Sequence, residues 1–496
     1  MSATFAPYLH LLDRSRETAL LGSINALLGW DQETGMPPKA ITYRAQQQAF
    51  LSGRIHRLFT DPEVGDWIKA CEDHGFAPGS GEAANVREWR LAYDRATKLP
   101  ASLVEEFEKA TSFGRQAWME ARQKSDFSLF APHLRTILDL TRRKAHLWGF
   151  ADSPYDALLE GYEPGTRARD IRTLFATLAP VISGLLPTAA EKSARTPAGI
   201  LDGDYPVDRQ IAFNREVAAA FGFDFEAGRI DTTTHPFCSG MGPRDCRLTT
   251  RYDTRNFTVS FYGVLHECGH GLYEQGLPED AYGTPLGEAV SLGIHESQSR
   301  FWENHIGRGE SFWNVWLPIA ARHFPHLARL TPEQMHAAVN RVSPSFIRVE
   351  ADEVTYDLHI ILRFEIELAL VEGTLQIDDL PAAWNERFAS LFGLTVPDDA
   401  RGCLQDIHWS MGGIGYFPTY TLGNLNASQL EAAALREQPS LATDLAAGHY
   451  GTTLAWLRHH IHRYGRHHHP GELMTLATGT PTQPEPHLAY LRKKFL

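Results

Sequence analysis

The residues best suited to chemistry form one run, His266-Glu267-Cys268-Gly269-His270. It reads H-E-x-x-H inside a segment, Phe257 to Gln275, whose pattern predicts a helix. Positions i and i+4 of a helix share a face, so both imidazoles can reach one ion. Glu267 follows the first imidazole, where its carboxylate can take a proton from a water acidified by that ion. Zinc brings such a water near neutrality, which makes a nucleophile for peptide hydrolysis. Two surface histidines on a polar helix would spell the same letters. Here the flanks, Phe257 to Leu265 and Leu272-Tyr273, are largely apolar. A helix apolar nearly all round is buried, and buried imidazoles beside a buried carboxylate call for a cation. Cys268 points away from the shared histidine face and reads as small core filling.

Two imidazoles leave a catalytic zinc short of a third protein ligand and an open position for water. Pro278, Gly283 and Pro285 break the chain after the motif, and Thr284-Pro285 reads as a new helix start. The following segment, Leu286 to Ile306, is expected to return alongside the first helix. It carries His295-Glu296-Ser297-Gln298, in which either His295 or Glu296 could complete the site. A carboxylate there would give a His₂Glu set.

The elements that must position these groups are mainly α-helical. Leu103, Phe107, Ala110, Gly114 and Trp118 repeat at helical spacing, and Thr331-Pro332-Glu333-Gln334 has the form of a capping box. Asp379-Leu380-Pro381 is a looser helix start. The best strand runs from Asp245 to Asp253, where Cys246, Leu248, Thr250 and Tyr252 alternate with polar residues. A small β-sheet beside the motif helix follows, with an edge that can pair with an extended peptide. Asp245 and Arg247 on that strand could orient the ligand histidines from behind, Asp245 by accepting a ring N–H. Gly75 to Gly81 and Thr478 to Pro486 read as loops, neither long enough to divide the chain. Residues 1–496 are therefore expected to form one domain of two helical lobes around a cleft.

After Pro344, the residues Arg348, Asp352, Tyr356, His359 and Arg363 recur every three to four positions. On one helix they would line a wet cleft wall or an ion-pair seam between helices. Tyr416 and Tyr420 lie in or beside a Gly-rich stretch, Gly412 to Tyr420, that could close over a substrate and donate to an oxyanion, or simply pack its rings. His459, His460, His462 and His467 to His469 are expected on a solvated helix and turn without a catalytic part.

The composition, with 43% hydrophobic and 22% charged residues, is that of a globular protein. A net charge of −13 argues against nucleic acid and anionic membrane as partners. No run of about 18 apolar residues suggests a membrane span. The five scattered cysteines, without a C-x-x-C pair, fit reduced thiols in the cytoplasm. The N-terminus lacks a basic region followed by an apolar run.

Several ordered motifs together resemble the Taq-type thermostable metallocarboxypeptidase family. They are His235-Pro236-Phe237, Asp245-x-Arg247-x-Thr249, the H-E-x-x-H run, His295-Glu296-Ser297-Gln298, Ile347-Arg348-Val349-Glu350-Ala351-Asp352 and Gly402-Cys403-Leu404-Gln405-Asp406-Ile407-His408-Trp409. Gly29-Trp30-Asp31-Gln32-Glu33-Thr34-x-Met36-Pro37 and Tyr162-Glu163-Pro164-Gly165 are also similar. The resemblance implies zinc ligands His266, His270 and Glu296, with Glu267 as general base and acid. Cobalt or manganese could occupy the same ligands. It implies an elongated helical fold with a deep central groove, a homodimer, and removal of C-terminal amino acids from peptides with broad specificity. Arg348, Gln405 and His408 become candidates for holding the substrate, since a terminal carboxylate suits a bidentate arginine. Gly271 stands where an alanine is expected and leaves the site alone. The rival expectations are a zinc oligopeptidase or dipeptidyl carboxypeptidase, and a peptide-binding protein with a structural zinc.

Overall fold

The computed structural model describes residues 5–496, and the architecture is mainly helical. Four helices, Ala6–Thr34, Ile41–Phe59, Pro62–His74 and Gly81–Thr97, come first; the first, third and fourth share a small core of Tyr8, Leu11, Val64, Ile68, Cys71, Val86 and Trp89, while Ile41–Phe59 buries no residue. Two much larger cores follow. One gathers residues from Trp118 to Phe495 around the helices Ala168–Ser193 and Tyr356–Glu372. The other surrounds the motif helix, Phe257–Glu274. The helix Pro418–Glu437 belongs to both, giving Leu422 and Leu425 to the first and Ala427 and Leu430 to the second.

Local sequence accounts for the starts of these elements. Asn256 caps the motif helix by accepting the Thr258 N–H at 3.1 Å. The capping box at Thr331 forms in full, at 3.3 Å and 3.0 Å to Gln334, and opens the helix Pro332–Val339. The helix Ala101–Lys124 buries Leu103, Gly114 and Trp118 as their spacing predicts.

The sheet has three strands, β1 (Gly228–Thr232), β2 (Cys238–Gly242) and β3 (Asp245–Thr250), in the order β1-β3-β2. β1 runs parallel to β3 and β2 antiparallel, with Cys238 opposite Leu248 and an irregularity between Gly240 and Gly242. β3 packs against the motif helix and ends at Thr250, three residues earlier than its alternation suggests, because the chain turns there toward the Asn256 cap.

Three expectations are corrected. Thr284-Pro285 opens only a 3₁₀ turn, Pro285–Gly287, and the next helix, Leu292–Arg300, starts at Ser291, whose Oγ accepts the Ile294 N–H. That helix continues as a π-helical segment, Phe301–Gly307. Arg348 to Arg363 is not one helix: Arg348–Glu350 is a 3₁₀ turn, Asp352 accepts the Val354 and Thr355 N–H groups, and the helix begins at Tyr356. One helix, Ala168–Ser193, is long and apolar enough to cross a bilayer; here it buries Ile171, Phe175, Leu178, Ile182 and Leu185 in the protein core.

Candidate metal centre

The motif helix and the Leu292–Arg300 helix meet at Gly269. A Cβ at that position would fall 2.4 Å from the Gln298 carbonyl oxygen and 2.6 Å from Ser299 Cα. The backbones touch there, so Glu296 faces the two motif histidines. Its Oε2 lies 3.6 Å from His266 Nε2 and 3.5 Å from His270 Nε2. Around a tetrahedral zinc with bonds of about 2.0–2.1 Å, neighbouring ligand atoms stand about 3.3 Å apart. The three donor atoms fit such an ion, and among the described residues His266, His270 and Glu296 form the one group of this kind. His295 is not in it.

Each histidine is held from behind. His266 Nδ1 donates to Glu303 Oε2 at 2.9 Å, and Glu303 is clamped by Arg308 at 3.1 Å and Arg300 at 3.4 Å. His270 Nδ1 faces the His295 carbonyl at 3.1 Å and the His295 ring Nδ1 at 2.6 Å. These bonds fix which ring nitrogen is left for an ion. They also correct the expectation for Asp245 and Arg247. Those two pair with each other at 2.8 Å, with Arg247 stacked over Trp30, and neither bonds a ligand histidine. Arg300 Nε bonds Glu296 Oε1 at 2.7 Å, which leaves Oε2 toward the histidines.

Electrostatics follow from burial and these contacts. Burial acts to lower the His266 pKa, but the carboxylates of Glu296 and Glu303 outweigh it and raise it to about 8. His270, buried and near His295, is lowered to about 4. Glu296 is buried as well, yet Arg300 and the histidines hold it well below the usual carboxylate range. Glu267 is 6% exposed, and burial pushes its carboxyl up to about 7. Cys268 is fully buried in the core, as expected.

The remaining candidates form a second cluster, joined to the first through Tyr356. The Arg300 guanidinium stacks on the Tyr356 ring, and the Tyr356 hydroxyl accepts from Arg348 Nη1 at 3.1 Å. Arg348 lies over the Tyr420 ring, and His408, Tyr416 and Tyr420 pack against one another. Tyr162 meets Tyr416 edge-on. Gln405 is placed differently from its expected role. Its Oε1 accepts the Arg348 backbone N–H at 2.9 Å and its Nε2 donates to the Phe346, Arg401 and Gly402 carbonyls, so its amide braces the Arg348 turn. The Gly-rich stretch is pinned: Gly415 N–H donates to the buried Glu367 at 3.1 Å, and Tyr420 sits inside the Pro418–Glu437 helix.

Sequence reasoning missed Glu303, Arg300 and Glu274. Arg300 and Glu303 lie four and seven residues beyond Glu296, on the same helix face, and that spacing was the available signal. One C-terminal histidine also differs from expectation. His462 is fully buried, bonded to Gln298 Oε1 at 2.9 Å and packed on Tyr273, because the chain turns inward after the helix Gly451–His460.

The fold and this cluster define a helical metallopeptidase with an H-E-x-x-H motif. The family model described as carboxypeptidase Taq (M32) metallopeptidase matches residues 10–495, and the chain belongs to that family. Thermostable carboxypeptidase 1 of Thermus thermophilus is 46% identical, over 99% of this chain and 98% of its own. Carboxypeptidase 1 of Bacillus subtilis is 35% identical, over 95% of this chain and 94% of its own. The crystal structure of an M32 carboxypeptidase from Deinococcus radiodurans matches with a TM-score of 0.95 at 39% identity, covering 99% of each chain. The protein is a metallocarboxypeptidase, a peptide hydrolase.

Proposed function

We propose that this carboxypeptidase holds one zinc ion between His266, His270 and Glu296 and releases single C-terminal amino acids with broad specificity. The observation that carries the reading is the convergence of both Nε2 atoms on Glu296 Oε2, at 3.6 Å and 3.5 Å. Cobalt and manganese suit the same donors. Bound there, the ion would acidify a water and polarise the scissile carbonyl.

Glu267, buried beside this point, takes the proton from the attacking water and passes it to the leaving amine. Arg348 holds the substrate's terminal carboxylate. A guanidinium carries five N–H donors. Three of those of Arg348 are used on Asp406 and Tyr356, and the remaining N–H on each terminal nitrogen makes a fork for a carboxylate. His408, Tyr416 and Tyr420 pack together beside it, and one of the tyrosines donates to the oxyanion. We further propose a cytoplasmic homodimer with a deep groove that acts on extended peptides. The unpaired cysteines support the location, the family supports the dimer and groove, and the net charge of −13 disfavours nucleic acid and anionic membrane.

The test is digestion of one peptide with a free C-terminus and its amidated twin, with chelator and after zinc add-back, read by mass. Single residues should leave only the free end, and only with metal. Release of dipeptides or internal cuts would replace the reading with a dipeptidyl carboxypeptidase or oligopeptidase. A zinc-loaded protein inert to diverse peptides would replace it with a binding protein.

A further inference from the structure

His295 and Glu274 have no part in the reaction described above, yet they continue the hydrogen bonding of a metal-site histidine. His295 Nε2 lies 2.8 Å from Glu274 Oε1, and His295 Nδ1 lies 2.6 Å from His270 Nδ1. A carboxylate can only accept, so Glu274 fixes the His295 proton on Nε2 and leaves Nδ1 as a lone pair. That lone pair faces the N–H of His270 Nδ1, which also points to the His295 carbonyl at 3.1 Å. The rings of His270 and His295 sit 4.5 Å apart, and Tyr273 backs His295 at 5.3 Å.

A separate element shapes this arrangement. Gly240 of β2 lies against the Glu274 carboxylate, and a Cβ there would fall 2.4 Å from Glu274 Oε2. The nearest atoms belong to the free end of a side chain, so a larger residue would displace the carboxylate and leave the sheet in place. Glu274 and Gly240 also line an open cavity of about 620 Å³ outside the metal cluster. His266 differs, since its carboxylate partner bonds it directly.

We propose that Glu274 and His295 are a positioning pair that sets the ring of His270, with Gly240 as the seat that keeps Glu274 in place. The inference rests on His270 being a metal ligand.

The experiment measures metal affinity by chelator competition and the visible absorption of the cobalt-loaded protein, for wild type, Glu274→Met, Glu274→Gln and Gly240→Ala. Loss of an outer hydrogen-bond partner typically weakens metal binding about 10- to 100-fold. Glu274→Met and Gly240→Ala should weaken it about tenfold or more and shift the cobalt band, with the metal-free melting temperature little changed. Glu274→Gln keeps an acceptor oxygen and should retain most of the affinity. Gly240→Ala touches neither histidine, so it reports even if the Met variant fails to fold. Wild-type affinity and spectrum in Gly240→Ala and in any folded Glu274→Met would overturn the inference. Failure of the wild type to bind metal would instead overturn the reading of the metal site.

Discussion

The carboxylate of Asp406 grips the guanidinium of Arg348, with Oδ1 2.8 Å from Nη2 and 3.0 Å from Nε. Its other oxygen holds Arg363 Nε at 2.7 Å; both arginines are buried and Asp406 is partly so. Arg348 is thereby fixed in orientation while two of its N–H groups stay uncommitted. Lysine cannot reproduce the fork. Arg348→Lys should cut kcat/KM about a hundredfold, the effect of losing about 2–3 kcal/mol of charged hydrogen bonding. Most of the change should appear in KM, with metal content unchanged. Steady-state kinetics on a free C-terminal peptide checks this, and wild-type KM would remove Arg348 from substrate binding.

Glu267→Gln should keep the metal and lose nearly all turnover. The amide preserves the shape of the side chain but cannot take a proton. Metal analysis alongside single-turnover assays separates the two effects. Wild-type turnover in the metal-loaded variant would rule out Glu267 as the base.

Gly269→Ala should lower both stability and metal affinity. The added methyl meets the Gln298 carbonyl and Ser299 Cα, which are backbone atoms that cannot swing aside. Overpacking of this kind costs about 1–3 kcal/mol and would push Glu296 away from the histidines. A wild-type melting temperature together with wild-type metal titration would show that the helices are not in backbone contact.

Glu163 supplies a pH prediction. It is buried, accepts from Ser291 Oγ and the Gly293 N–H at 2.9 Å each, and so ties off the start of the Glu296 helix. Burial pushes its carboxyl from the ordinary 4.5 up to about 7. The folded chain then keeps a proton that the unfolded chain releases. The resulting stabilisation is complete below pH 4.5 and is lost as pH rises through about 7. Glu163→Gln does not titrate. Relative to wild type it should gain about 3 kcal/mol between pH 4.5 and pH 8, an order-of-magnitude conversion of the shift. Denaturant unfolding of both proteins at the two pH values reads this, and a difference that does not change with pH would refute it.

Within the cluster of His266, His270 and Glu296, the two histidines were readable from a local signal. The i, i+4 histidines need only helical pitch, and Asn256 and the apolar flank mark where that helix begins. Glu296 needed more. Residue spacing left it level with His295, and the ordered motifs of the family separated the two. The structure shows why spacing could not decide, since His295 also reaches the site through the ring of His270. Glu303 stands seven residues beyond Glu296, but that spacing alone does not distinguish a partner of His266 from a solvated acid on the helix face. The supposed stripe from Arg348 to Arg363 failed because Asp352 bonds the backbone and starts a separate helix. Gln405 looked like a substrate contact because its motif marks a site, but spacing does not show which polar atoms the backbone has already claimed.

The approach of two main chains at Gly269 also bears on how the site could be redesigned. Searches and libraries treat the middle letters of H-E-x-x-H as free. In this chain Cys268 has no exposed surface, and Gly269 has a neighbouring carbonyl where any side chain would start. Directed evolution aimed at those two letters would have almost no room to move.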